Sequence, residues 1–264
     1  LLGMPHLGPE GVCPNWLMGS CGQLHWLAIA EAGRRASCRI ADIEGARAFP
    51  SFVSCRIAGR LDGFAENAPV GLVREVLPSR EGGWRSVTRL ESGDGRAVRV
   101  ELVSVFARRV GPSNVGLVGA KMPAPFEMPG EDALPREVRL LRARARAAKI
   151  AAKADGAPPV AALPVLAATD FNGVGLLYFA NFTRFVAQGE AALLPKLAQE
   201  MPVTGREIHY FGNADDGEVL EVSGTVHVTG IAPTPEVVCV TVVRRRSDGA
   251  PIAACRAVRG HGRA

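Results

Sequence analysis

The stretch Asp170-Phe171-Asn172-Gly173-Val174-Gly175-Leu176-Leu177-Tyr178-Phe179-Ala180-Asn181-Phe182 decides how this chain reads. Polar residues and two glycines lead into an apolar run of helical character. Glycines let backbone N–H groups approach a ligand closely, and a helix start adds a partial positive charge aimed at it. Such a turn suits a carbonyl oxygen on which negative charge develops. Asn172, Gly173, Val174 and Gly175 are therefore the expected carbonyl and oxyanion site. Asp170 is expected to accept N–H bonds at the helix start, and Tyr178 to form a pocket wall.

Working outward, the segment has a counterpart earlier in the chain. Gly22 opens Gly-Gln-Leu-His25-Trp26-Leu-Ala, and Gly175 opens Gly-Leu-Leu-Tyr178-Phe179-Ala, 153 residues later (175 − 22). Arg47-Ala-Phe-Pro-Ser-Phe52 matches Arg206-Glu-Ile-His-Tyr-Phe211 at 159 (206 − 47), and Asp94-Gly95 matches Asp248-Gly249 at 154 (248 − 94). Matches in constant order and nearly constant offset indicate two copies of one unit. Each copy reads as a helix followed by Val-rich alternating strands. In the first, a helix is expected from Gln23 to about Arg34, then strands near 46–60, 69–78, 84–92 and 97–109. In the second, a helix is expected from Phe179 to about Leu197, with Pro195 closing it early, followed by strands near 205–214, 218–230, 236–246 and 251–259. Ser92-Gly93-Asp94-Gly95, Asp215-Asp216-Gly217 and Ser247-Asp248-Gly249 are turns. The expected organisation is a first unit at 1–119, a connector at 120–164 with a basic helix over 135–154, and a second unit at 165–264. A long helix wrapped by an antiparallel sheet, used twice, is an α+β double hot-dog.

Composition narrows the function classes. At 264 residues and 47% apolar content the chain can bury a large core, and its 30 glycines and 19 prolines suit a sheet-rich protein. No run reaches the ~18 uninterrupted apolar residues of a membrane span, and the first residues lack the basic-then-apolar pattern of a secretory leader. The six cysteines include no C-x-x-C pair. They read as reduced, mostly buried thiols of a cytoplasmic protein, with no metal-ligand spacing; Cys21 and Cys55 are the nucleophile candidates. The net charge of +5 concentrates in Arg136, Arg139, Arg142, Arg144, Arg146, Lys149 and Lys153, with Arg244-Arg245-Arg246 as a second cluster. These are solvated faces or a landing surface for an acidic partner such as a carrier protein. Nucleic acid is disfavoured because few aromatic residues interleave with the basic ones.

The Asp170–Phe182 spacing resembles the signature of the hot-dog thioesterase superfamily, in which Asp-x-Asp-x-x-Gly precedes the helix start. The aspartate that usually supports hydrolysis there is Asn172 here, and a carboxamide cannot serve as a general base near neutral pH. With Met4-Pro5-His6-Leu7, Asn15-Trp16-Leu17 and Gly22-Gln23-Leu24-His25-Trp26, the chain resembles the leinamycin-type acyltransferase/decarboxylase family of polyketide biosynthesis. That resemblance implies a double hot-dog that takes methylmalonyl from coenzyme A, loses carbon dioxide and leaves an acyl group on an acyl carrier protein. It implies no cofactor beyond the coenzyme A or phosphopantetheine thioester, and the fold admits a homodimer. The family's acyl-accepting tyrosine aligns with Phe49, which has no hydroxyl. Ser51, two residues on and of the same strand parity, is the substitute hydroxyl.

His25 is a further acid or base candidate. His6 could fold over the pocket mouth, and His209 and Tyr210 lie on a strand that lines a pocket or forms a cross-strand pair. Two rivals stand beside decarboxylation and acyl transfer. One is a thioesterase or dehydratase on the same fold, the dehydratase needing His25 with Asp170. The other is a non-catalytic module that binds acyl chains or carriers, which Phe49 favours.

Overall fold

The chain opens with a 3-10 turn over Met4–His6 and a small hairpin, β1 (Leu7–Gly8) and β2 (Gly11–Val12), before entering α1 (Pro14–Ala32). In this computed structural model, residues 1–9, 11–33, 39–76, 84–124, 126, 136–195, 201–229 and 236–260 are described. Cys38 and the far ends of several expected segments lie outside them.

α1 starts at Pro14, earlier than the expected Gln23. Proline suits the first helical position because its missing N–H would have no partner there. Gly19, Ser20 and Gly22 are weak helix formers, so local preference hides this half of the helix. Burial of Leu17, Met18 and Cys21 drives it to form. Gly22 is needed for close packing, since a Cβ there would sit 2.8 Å from the Phe179 ring.

After α1 come β3 (Ile40–Ala41), β4 (Arg47–Ala58), β5 (Val70–Val76), β6 (Trp84–Ser92), β7 (Ala97–Arg109) and β8 (Leu117–Gly119). The connector holds α2 (Arg136–Ala154) and a short strand, β9 (Ala161–Pro164). The second unit contains α3 (Ala167–Asp170), a 3-10 turn over Phe179–Asn181 running into α4 (Phe182–Leu193), and β10 (Val203–Tyr210), β11 (Val219–Thr229), β12 (Glu236–Arg245) and β13 (Pro251–Arg259). The expected turns carry positive φ at Gly95, Gly217 and Gly249.

All strands except the N-terminal hairpin join one 11-stranded sheet with the path β5-β6-β7-β4-β10-β13-β12-β11-β9. Read outward from its centre, β4-β7-β6-β5 on one side matches β10-β13-β12-β11 on the other. The matching strands β4 and β10 pair with each other antiparallel, Ile57 opposite Arg206 and Ser54 opposite His209. Two copies related by a twofold axis must meet in this way. The molecule is a double hot-dog.

One core cluster spans both units, with Leu17, Met18, Phe52 and Ile57 from the first and Phe182, Phe185, Ile208 and Val243 from the second. α2 lies on the sheet's outer face, where Ala148 and Ala152 pack with Phe211, Val242 and Ala254. Arg244 holds its C-terminal end by donating to the carbonyls of Ala152 and Asp155. The Arg244–Arg246 run is therefore not one basic surface. Strand alternation sends Arg244 to α2, Arg245 to Asp248 and the Asn213 carbonyl, and Arg246 to Glu221. No helix among the described residues is long and apolar enough to cross a membrane.

Candidate active site

β4 outruns its central neighbour. Its pairing with β10 stops at Ser54, and β3 covers only Arg47 and Ala48 on that edge. Residues 49–53 keep β7 on one side and have no strand on the other. Pro50 sits within this window, where a missing N–H costs no ladder bond. A cavity of about 240 Å³ opens there, walled by Phe49 to Val53 of the first unit, by Asn172, Val174 and Leu176 to Phe179, and by Tyr210 to Asn213 of the second. Trp26 from α1 closes part of it.

The glycine turn is built around Asn172. Its Oδ1 accepts the N–H groups of Val174 and Leu176, each at 3.1 Å, and its carbonyl accepts Gly175 N–H at 2.9 Å. Two N–H donors on one side-chain atom fix that atom as oxygen, so Nδ2 is left free to donate. Asn213 does parallel work one residue further on: its Oδ1 accepts Leu177 N–H at 3.0 Å and its Nδ2 donates to the Leu177 carbonyl. The first unit braces the turn from outside through Arg109, bonded to the Val174 and Gly175 carbonyls, and Asn114, bonded to the Gly175 carbonyl. Asp215 holds Asn114 in turn by accepting its N–H at 2.6 Å.

This geometry corrects the expected use of the turn. The amides of Val174, Gly175, Leu176 and Leu177 are taken by protein acceptors and are not available to a ligand. Gly175 serves the turn through its φ of +75°, and Gly173 and Gly175 stay outside the cavity wall. In this stretch the main-chain donors without an acceptor among the described residues are Gly173 in the turn, then Phe179 and Ala180 at the uncapped start of the 3-10 turn that enters α4. Phe179 lines the cavity.

Asn172, Val174, Tyr178, Phe49 and Ser51 thus converge on one cavity, while His25 and Asp170 do not. His25 is fully buried behind Phe52, with its ring nitrogens 2.7 and 2.8 Å from the hydroxyls of Ser86 and Ser104. Burial lowers its pKa to about 3, so it stays neutral. Asp170 accepts Leu166 N–H at 2.9 Å and pairs with Arg184 at 2.7 Å. The two are engaged separately, and the His–carboxylate pair a dehydratase would need is not formed by them. His6 stacks on Trp16 at 4.6 Å, away from the cavity wall. Burial raises the Cys21 thiol to about 12 and the Cys55 thiol well above its ordinary range, which removes both as thiolate nucleophiles.

Two contributors escaped the sequence reading. Asn213 and Asn114 are lone polar residues without a motif. Tyr210, expected on a strand that lines a pocket or forms a cross-strand pair, does line the cavity, and its hydroxyl is buried without a partner among the described residues. Burial pushes its pKa well above 10, so it remains a proton donor. The repeat alignment held the signal, since Tyr210 matches Ser51 in the other copy. Among the described residues the cavity wall includes no Asp, Glu, His, Lys or Arg.

No protein-family model and no curated protein matches the sequence. Solved structures do resemble the fold. A provisionally assigned oleoyl thioesterase from Lactobacillus plantarum superposes with a TM-score of 0.67 at 9% identity, over 98% of this chain and 92% of that one. A 12:0-ACP thioesterase from Umbellularia californica gives 0.58 at 14% identity, over 99% and 92%. An acyl-ACP thioesterase from Bacteroides thetaiotaomicron gives 0.55 at 13% identity, over 98% and 95%.

Proposed function

We propose that this protein decarboxylates a malonyl- or methylmalonyl-type thioester, carried by coenzyme A or an acyl carrier protein, in the cavity between β4 and the Asn172 turn. The observation that carries this reading is a cavity wall with amide, hydroxyl and main-chain donors but, among the described residues, no carboxylate, imidazole, amine or guanidinium. Hydrolysis or dehydration needs a group that removes a proton from water or substrate. Decarboxylation does not. The bond between the α-carbon and its carboxylate breaks, carbon dioxide leaves, and the electron pair moves into the thioester as an enolate. Neutral donors stabilise the enolate oxygen without protonating it outright. Asn172 Nδ2 and the Phe179 N–H are the donors available, and the apolar wall of Phe49, Phe52 and Phe179 disfavours the departing carboxylate's charge. A proton from water then completes the α-carbon.

Acyl transfer in the manner of the leinamycin-type family would need a hydroxyl in place of Phe49. Ser51 shares its wall, but the described wall offers no base to take its proton, so acyl transfer stays outside this proposal. The exposed basic residues of α2, among them Arg139, Arg146 and Lys149, offer an acidic carrier protein a complementary surface. The thioesterases that share the fold favour hydrolysis as the second reading.

Incubation with malonyl-, methylmalonyl- and medium-chain acyl-coenzyme A, followed by intact mass of protein and thioester, separates these readings. Loss of carbon dioxide with the thioester intact supports decarboxylation. Release of free coenzyme A thiol establishes hydrolysis instead, and unchanged substrate with measurable binding establishes a binding module. Asn172→Ala should slow decarboxylation by ~10²-fold or more. Near-normal turnover in a folded variant would remove Asn172 from the reaction.

A further inference from the structure

A second cavity of about 620 Å³ lies on the opposite face of the sheet, roofed by α2. Its walls divide by chemistry. Ala148, Ala151 and Ala152 of the helix face Val240, Val242 and Ala254 of the sheet, giving an apolar slot. At one edge stands a cross-strand row, with Glu207 on β10 directly opposite Arg56 on β4 and Arg256 on β13. Arg144 reaches down from α2 to within 3.7 Å of the same carboxylate. Glu207 also lies 3.1 Å from His209 Nε2.

One carboxylate therefore faces three guanidiniums. The side chains of Arg56 and Arg256 are exposed and line the cavity, and Arg56 also stands opposite Glu101 of β7, which Arg85 and Arg99 hold. The other carboxylate in the wall, Asp155, is occupied by Ser223 at 2.8 Å and by Arg244. His209 is 8% exposed and its Nδ1 has no partner among the described residues. A buried ring nitrogen without a partner and a local excess of guanidiniums beside an apolar slot of ligand size are what a small-molecule site requires. The match is an anionic head on the arginine row with a short hydrocarbon body along the alanine face.

We infer that this cavity binds a medium-chain aliphatic carboxylate, its carboxylate between Arg56 and Arg256 and its chain beneath Ala148 and Ala152. The site is separate from the cavity of the proposed reaction.

Calorimetric titration of the full chain with octanoate, octanol and inorganic phosphate tests the assignment without requiring turnover, so it stands or falls apart from the proposed reaction. Octanoate should bind saturably, and octanol and phosphate at least ~ten-fold more weakly. Arg56→Gln with Arg256→Gln should weaken octanoate by a similar factor, Arg56→Lys with Arg256→Lys should retain most of it, and Ala148→Phe should block it by filling the slot. Ser51→Trp, which fills the first cavity, should leave it unchanged. Circular dichroism and melting curves confirm that each variant is folded. The inference is overturned by absent octanoate binding, by equal binding of octanol or phosphate, by indifference to the arginine or alanine changes in folded variants, or by loss in Ser51→Trp.

Discussion

At the scale of single residues, the site depends on which polar atoms are already spent. Asn172 and Asn213 commit their oxygens to holding the turn, so the rigidity of the cavity and its donor capacity come from the same two side chains. Tyr210 has the opposite character, with a buried hydroxyl that no protein atom satisfies. An unpaired buried hydroxyl costs about 1–3 kcal/mol. Tyr210→Phe should therefore fold as stably as the parent, or more stably by up to ~1 kcal/mol, while turnover changes little because the hydroxyl is closed off from the cavity. Urea titration and steady-state rates measured side by side give both numbers. A clear loss of stability would mean that the hydroxyl has a structural partner. The sequence pointed to Asn172 because it sits in a motif. It could not point to Asn213, whose role arises only when β10 ends beside β4.

Elements show the same division between local signal and tertiary cause. The long strands of both units were legible to within a few residues because alternation is imposed by burial of one face at a time. The short strands β3, β8 and β9 have two to four residues, too few to carry a period, and exist only because a longer neighbour offers its edge. The first half of α1 was hidden by its glycines for a related reason: helix propensity fell where close packing demanded small residues. Gly189 in α4 is the sharper case. A Cβ there would stand 2.4 Å from Cγ1 of Val222, a β-branched side chain with little freedom to turn away. In an open helix Gly→Ala gains about 1 kcal/mol. Here overpacking of about 1–3 kcal/mol opposes that gain, so Gly189→Ala should lower stability by roughly 0–2 kcal/mol. Equilibrium denaturation decides the sign, and a stabilised variant would show that α4 stands further from the sheet than described.

At the scale of the whole molecule, the repeat foretold two units but not how tightly they are joined. Matching segments in constant order imply a pseudo-twofold arrangement, and β4 beside β10 is its physical form. The join is a continuous backbone ladder from Ser54 to Ala58 against Gly205 to His209, not a surface contact. Beneath it one core mixes Phe52, Cys55 and Ile57 with Ile208, Phe182 and Cys255. Arg109 and Asn114 of the first unit also hold the Val174–Gly175 turn of the second. Neither unit can open without exposing apolar surface and breaking ladder bonds in the other, so the two should unfold as one cooperative body. The three tryptophans make this measurable, because Trp16, Trp26 and Trp84 all belong to the first unit. Tryptophan emission reports that unit alone. Far-ultraviolet circular dichroism also reports α2, α4 and β10 to β13. In urea the two signals should trace one transition with a common midpoint and slope. If emission finished changing while ellipticity still fell, the β4–β10 ladder would be a weak seam between independent domains. A cavity built across that seam would then lack the fixed geometry that donor-only catalysis demands.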